Sequence, residues 1–328
     1  MNRKLRLVGA YVKGLPIWCS WQVTPRCASF CVFCEHRAEG AFEEADLAKI
    51  GRISSELATA GALMVSLSGG DPFLREDLPE IVATVARHHF PLVTTHGWLV
   101  SPEKARVLWA AGLEAASVTL DHADPTRQDA QVGQPGSHAR ALLALRAFAD
   151  TRSRASQQVN VKARLGRETL AGLDGLLRLA QGFGASVTVE PGYPLPADLP
   201  PGPSVTLRLK EVRSRHSNLR IGVFFLDRIE QALEGGVPGC QAGRAFFNID
   251  HRGRVSKCLE FRGPDDIAGD LSLEPLQDVL PRLRRVHEAN ACRACWMSSR
   301  GEVEGLYTAR GLLQALPAWV RAGSRHGP

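Results

Sequence analysis

No run of apolar residues in the 328-residue chain approaches the ~18 that a membrane helix needs. The N-terminal stretch imitates a secretion signal only until Lys13 and Pro16 interrupt it, and Trp18 before Cys19 spoils a lipoprotein cleavage site. Export is therefore not expected, and a cytoplasmic location is. Blocks of like charge are also missing. The 40 Lys and Arg against 34 Asp and Glu leave a net charge of +6 spread thinly along the chain, which gives no strong nucleic-acid signal. There are no internal repeats. With 44% apolar and 23% charged residues, disorder, collagen and coiled coil are excluded. At roughly 150 residues per domain, the length suits two domains or one large α/β domain with an appended module. Eight cysteines in a long chain without an export signal point to metal binding rather than to disulfides.

What is present is alternation. Strand patterns fall at Trp18 to Thr24, Leu63 to Leu67, Pro91 to Thr95, Ala115 to Leu120, Gln158 to Arg164 and Ser186 to Glu190. Helical patterns fall between them, around Glu43 to Thr59, Leu78 to His88, Pro102 to Ala110, Ser137 to Ala149 and Glu168 to Gln181. Strand then helix, repeated, predicts an α/β fold: a parallel sheet curved into a partial (β/α)6 barrel whose C-terminal strand ends carry the site. The pattern stops at a proline-rich stretch, which sets boundaries of 1–190 for the barrel, 191–204 for the connection and 205–328 for a small C-terminal α+β region. There the sequence predicts a helix from Thr206 to Arg215, a strand from Leu219 to Phe225, a short helix from Asp227, and a hairpin turning at His251 to Gly253.

Cys27, Cys31 and Cys34 directly follow the first strand. Three thiolates are one short of a closed zinc site, which Glu35 or His36 could complete. A four-iron cluster held by three cysteines instead leaves one iron open to a small ligand. The spacing C-x3-C-x-aromatic-C, with Phe33 as the aromatic residue, resembles the signature of the radical S-adenosylmethionine (SAM) superfamily. The second strand ends in L-S-G-G-D-P-F-L, similar to the family's Gly-Gly-Glu-Pro turn that holds the methionine amino group, with Asp71 in place of Glu. Gly69 and Gly70 allow close backbone approach and Pro72 fixes the turn. The third strand ends T-T-H-G, where relatives show Thr-Asn-Gly, so His96 is a departure. Thr119 stands where the family's Ser-x-Asp places its serine. The resemblance implies a SAM ribose or carboxylate contact for Thr119, with Asp121 in support. It also implies a SAM-carboxylate contact for Arg164, for which a surface salt bridge is the alternative, and a place near adenine or substrate for Glu190. Trp18, Cys19 and Trp21 read as packing residues.

Cys240, Cys258, Cys292 and Cys295 follow the pattern C-x12-G-x4-C then C-x2-C. Four thiolates suit zinc and a cubane cluster equally. The region, about 238–300, resembles the superfamily's auxiliary-cluster modules, called SPASM in the two-cluster form and twitch in the one-cluster form. The resemblance implies a SAM-binding 4Fe-4S cluster, an auxiliary 4Fe-4S cluster and S-adenosylmethionine as cofactors. It further implies an external electron donor such as flavodoxin or ferredoxin, and a 5′-deoxyadenosyl radical that abstracts hydrogen from a small-molecule or peptide substrate with net oxidation. The chain ends in Gly327 and Pro328 rather than the Gly-Gly of molybdenum-cofactor cyclases, which disfavours that identity. The short stretch before Cys27 leaves no room for a cobalamin-binding or leader-binding domain, so the alternative of a peptide maturase calls for a separate leader-binding partner. An alternative of another class is a non-catalytic zinc or iron-sulfur protein.

Overall fold

The computed structural model describes residues 3–31, 34, 43–61, 63–193, 195–199, 204–260 and 263–308. Its barrel strands are β1 (Trp18–Thr24), β2 (Met64–Gly69), β3 (Phe90–Thr95), β4 (Ala115–Thr119), β5 (Gln158–Arg164) and β6 (Ser186–Glu190). All pair in parallel with their sequence neighbours, as right-handed strand-helix units require. The intervening helices are α2 (Leu47–Ala60), α3 (Leu78–Ala86), α4 (Pro102–Ala110), α5 (Pro125–Val132), α6 (Ser137–Asp150) and α7 (Arg167–Gln181), with α1 (Arg3–Val12) ahead of β1. Asp46, Ser101 and Asp124 open α2, α4 and α5 by accepting a backbone N–H at the third helical residue.

Period two along each strand divides the sheet chemically. Trp21, Leu67, Val93, Val118, Val161 and Val187 face the helices and are buried with Ile53, Val85, Leu108, Phe148 and Leu177. The alternate residues Ser20, Ser66, Ser68, Thr94, Ser117, Thr119, Asn160, Lys162 and Thr188 are only partly buried, so the inner wall of the open barrel is polar. Asn160 accepts from Ser186 and Thr188 there, at 3.0 and 3.2 Å.

Beyond the proline-rich stretch lie α8 (Ser204–Arg215), α9 (Val223–Leu226), α10 (Ile229–Gly235), α11 (Leu276–Glu288) and α12 (Ser298–Leu306). The predicted hairpin forms as β7 (Phe246–Ile249) and β8 (Arg254–Ser256), and β9 (Ile267–Asp270) adds to it. β7 runs parallel to β1, with Trp18 opposite Phe246, so the described strands form one sheet in the order β6-β5-β4-β3-β2-β1-β7-β8-β9. The predicted strand from Leu219 to Phe225 is corrected. Leu219 makes one isolated parallel bridge to Val187, and from Val223 the chain is helical. Phe225 finds its burial by stacking on Trp296, with centroids 5.4 Å apart, rather than in a sheet. No helix among the described residues is long and apolar enough to cross a membrane.

Candidate functional site

The segment leading into the first cysteines is tied down before it reaches them. Thr24 donates to Glu44, and Arg26 grips the same carboxylate through both oxygens at 2.8 and 2.9 Å. The glycine turn after β2 lies directly on this segment, with Gly70 N–H donating to Thr24 O and Asp71 N–H to Arg26 O. A Cβ at Gly69 would fall 1.8 Å from Thr24 O, and one at Gly70 2.0 Å from Arg26 O. The glycines are thus required by the backbone that enters Cys27, a reason the sequence reading did not supply. Cys27 Sγ already accepts an N–H from Ser29, and Cys34 N–H donates to Cys31 O. Burial pushes the Cys27 thiol up and the Cys31 thiol up to about 12. Cys34 is exposed. Phe33, Glu35 and His36 lie outside the described residues.

Gly69 and Gly70 line a cavity of about 250 Å³ together with Thr94, His96, Thr119 and Lys162. Asp71 stands behind that wall. Its carboxylate accepts from Thr95 Oγ1, His96 N and Phe73 N at 2.8 to 3.1 Å, so it fastens the end of β3 to the turn. Pro72 opens the short 3₁₀ turn that follows and is buried. His96 Nδ1 lies 2.6 Å from Thr119 Oγ1. Burial lowers the His96 pKa, although Asp71 and Asp121 pull the other way.

A second cavity, about 220 Å³, adjoins the first across Thr94, His96, Thr119 and Lys162, and its wall includes Cys34, Asp121, Arg164 and Glu190. Asp121 is buried, which pushes its carboxyl up, and it accepts from Arg164 N and Gln131 Nε2. Arg164 ends β5 with its guanidinium against Gly192. Glu190 pairs with Lys162 Nζ at 2.8 Å and accepts from both N and Oγ of Ser298. Burial disfavours the Glu190 charge, yet Lys162 and Ser298 prevail and hold the carboxyl below its usual range. Lys162 escaped the sequence reading, although its period-two relation to Arg164 put both on the inner wall. Trp18, assigned to packing, also lines the first cavity.

The first cavity is also lined by Cys240, Cys258, Cys292 and Cys295. Asn290 organises two of them, donating to Cys240 O and accepting from Cys292 N. Burial raises the Cys240 thiol and pushes the Cys295 thiol up to about 12. Arg300 and Lys257 also line the cavity, so thiols and cations occur together, a donor set suited to an anionic thiolate-bound cluster. Among the described residues no three His, Cys, Asp or Glu side chains converge as ligands of a single ion.

Comparison with known proteins agrees with this geometry. Mycofactocin maturase MftC of Mycobacterium tuberculosis is 28% identical over 312 residues, covering 88% of this chain and 78% of the relative. PqqA peptide cyclase of Granulibacter bethesdensis is 26% identical over 251 residues, covering 72% and 66%. Among solved structures, Streptococcus suis SuiB bound to S-adenosylmethionine superposes with a TM-score of 0.70 at 13% identity, over 94% of this chain and 79% of that one. Residues 21–159 match the Radical SAM superfamily, and this match, together with the maturase relatives, supports reading the chain as a radical SAM enzyme with a C-terminal auxiliary domain.

Proposed function

We propose that the protein modifies a peptide by radical SAM chemistry with net oxidation, using two 4Fe-4S clusters. The observation that carries this reading is that the glycine turn and the four C-terminal cysteines line one cavity. Cys27, Cys31 and Cys34 would hold the first cluster, and Cys240, Cys258, Cys292 and Cys295 the auxiliary one. When bound, SAM and the first cluster supply a 5′-deoxyadenosyl radical that removes hydrogen from the substrate. The chain's own part is to position and shield. Gly69 and Gly70 would offer backbone to the methionine end of SAM, Thr119 and Arg164 would offer a hydroxyl and a guanidinium to its ribose and carboxylate, with Asp121 in support and Glu190 near adenine or substrate. Asp71 acts one step back, holding β3 and His96. In this division residues 1–190 bind SAM, 191–204 connect, and 205–328 carry the auxiliary module at about 238–300.

A peptide substrate is supported by the names of the relatives, a mycofactocin maturase and a PqqA peptide cyclase. An external flavodoxin or ferredoxin is the expected electron source, and the cytoplasm the expected location. The test is deuterium transfer. Anaerobic protein with SAM and dithionite is given a tryptic digest of perdeuterated protein, or a perdeuterated small-metabolite extract. Deuterium in 5′-deoxyadenosine from the digest supports the peptide reading, and deuterium from the metabolite extract alone overturns it.

A further inference from the structure

We propose that Arg300 positions the auxiliary-cluster cysteines and sets the reduction potential of the cluster they hold. The inference rests on the reading of Cys240, Cys258, Cys292 and Cys295 as ligands of an auxiliary 4Fe-4S cluster. Arg300 is 2% exposed, yet it lines the cavity that those cysteines line. Each nitrogen of the fork reaches a different segment. Nη1 donates to Cys295 O at 2.7 Å, Nη2 to Val237 O at 2.7 Å, and Nε to Glu304 Oε1 at 2.8 Å. That Glu304 oxygen also accepts the N–H of Gln241, the residue after Cys240, at 2.9 Å. One planar cation therefore sets the spacing between the C-x2-C segment and the Cys240 segment. Its guanidinium lies over Trp296, 5.1 Å from the ring centroid, and the Trp296 indole N–H is fixed on Phe225 O. The fork cannot swing away without breaking contacts on three sides.

A buried charge of this kind acts on whatever the thiolates hold. A cluster ligated by four thiolates becomes more negative on reduction, and a fixed cation nearby with little water between favours the reduced state. Removing the charge lowers the potential, and removing the fork loosens the ligands. Two substitutions separate these effects, because Lys keeps a charge without the three-way fork and Met keeps bulk without either.

The experiment uses the full-length chain carrying Ala at Cys27, Cys31 and Cys34, so that the remaining iron reports the auxiliary site. Iron content, and a redox titration followed by electron paramagnetic resonance, are measured with Arg300 present and with Arg300→Lys and Arg300→Met. The expected result is reduced iron occupancy in both, with the potential shifted downward in Arg300→Met and held near the parent value in Arg300→Lys. Parent-level iron and an unshifted potential in folded Arg300→Met overturn the inference. If Arg300→Met does not fold, Glu304→Gln decides. The amide oxygen can still accept from Arg300 and Gln241, so an upward shift from loss of the carboxylate charge supports the coupling, and an unshifted potential overturns it. Zinc and no reducible cluster with Arg300 present would overturn the auxiliary-cluster reading itself, a failure visible before any change at Arg300.

Discussion

At Gly69 a conformational requirement and a packing requirement coincide, since φ is 138° and a Cβ would meet the Thr24 carbonyl. Backbone strain alone costs on the order of 1–3 kcal/mol in such a conformation. If these glycines served SAM alone, substitution would spare the iron; the contacts with Thr24 and Arg26 predict otherwise. Gly69→Val and Gly70→Val should lose first-cluster iron and SAM affinity together, measured by iron analysis and SAM titration. Full iron with weakened SAM binding would restore the simpler view. His89 gives a pH prediction. Its Nδ1 accepts from Leu63 N and its Nε2 donates to Ser54 O, so protonation would aim a second N–H at an N–H. Burial lowers its pKa to about 4. The unfolded chain then binds more protons between pH ~6.5 and ~4, and stability falls with falling pH by up to about 1.4 kcal/mol per unit. Denaturation of His89→Gln should show a smaller loss from pH 7 to pH 5 than the parent; equal losses would exclude His89 as the source. The cysteines were legible because their spacing is set by local chain geometry. Lys162 and Arg300 were not, because the role of each also depends on a partner distant in sequence, Glu190 for the first and Val237 for the second.

The elements of the barrel could be read because buried and cavity-facing residues alternate so regularly, as Trp21 and Val161 against Ser20 and Lys162 illustrate. Legibility failed where tertiary contact decides the conformation. Val223 to Phe225 has a strand's composition, yet Trp296 provides a stacking partner that a helical turn reaches. The polar helix α12 carries no strong periodic pattern, and much of its placement comes from Glu190, which accepts both donors of Ser298 at its start. That carboxylate joins the end of β6 to the segment just past Cys295. Glu190→Ala should uncouple them and leave Lys162 without its partner. The cost should be on the order of 1–3 kcal/mol, below the range for a fully buried pair because the Lys162 side chain is 31% exposed. Hydrogen exchange should quicken in α12 and leave α2 and α3 unchanged. Uniform acceleration would mean that the pair supports the whole barrel rather than this junction.

Across the whole molecule, the hairpin of β7 and β8 extends the barrel sheet beside β1, and the auxiliary cysteines line the cavity that the glycine turn also lines. The four C-terminal cysteines line one cavity and Cys34 the cavity adjoining it, and the two groups depend on separate backbone supports. Glu44 and the glycine turn serve the first group, and Asn290 and Arg300 serve the second. Separate supports predict separable losses. Replacing Cys27, Cys31 and Cys34 by Ala should remove about half of the iron and abolish reductive SAM cleavage, leaving the C-terminal cluster in place. Replacing Cys292 and Cys295 by Ala should do the reverse, retaining SAM cleavage while product formation stops. Four protein thiolates leave no iron open to substrate, so the auxiliary cluster would accept the electron that a substrate radical sheds, and the reaction would end in oxidation. Circular dichroism must first show that the fold survives loss of the metal. Given a folded variant, continued formation of the oxidised product would exclude the conduit role. A substrate-dependent change in the reduced auxiliary cluster's resonance through a directly bound nitrogen or oxygen would instead show an open site that takes substrate as a ligand.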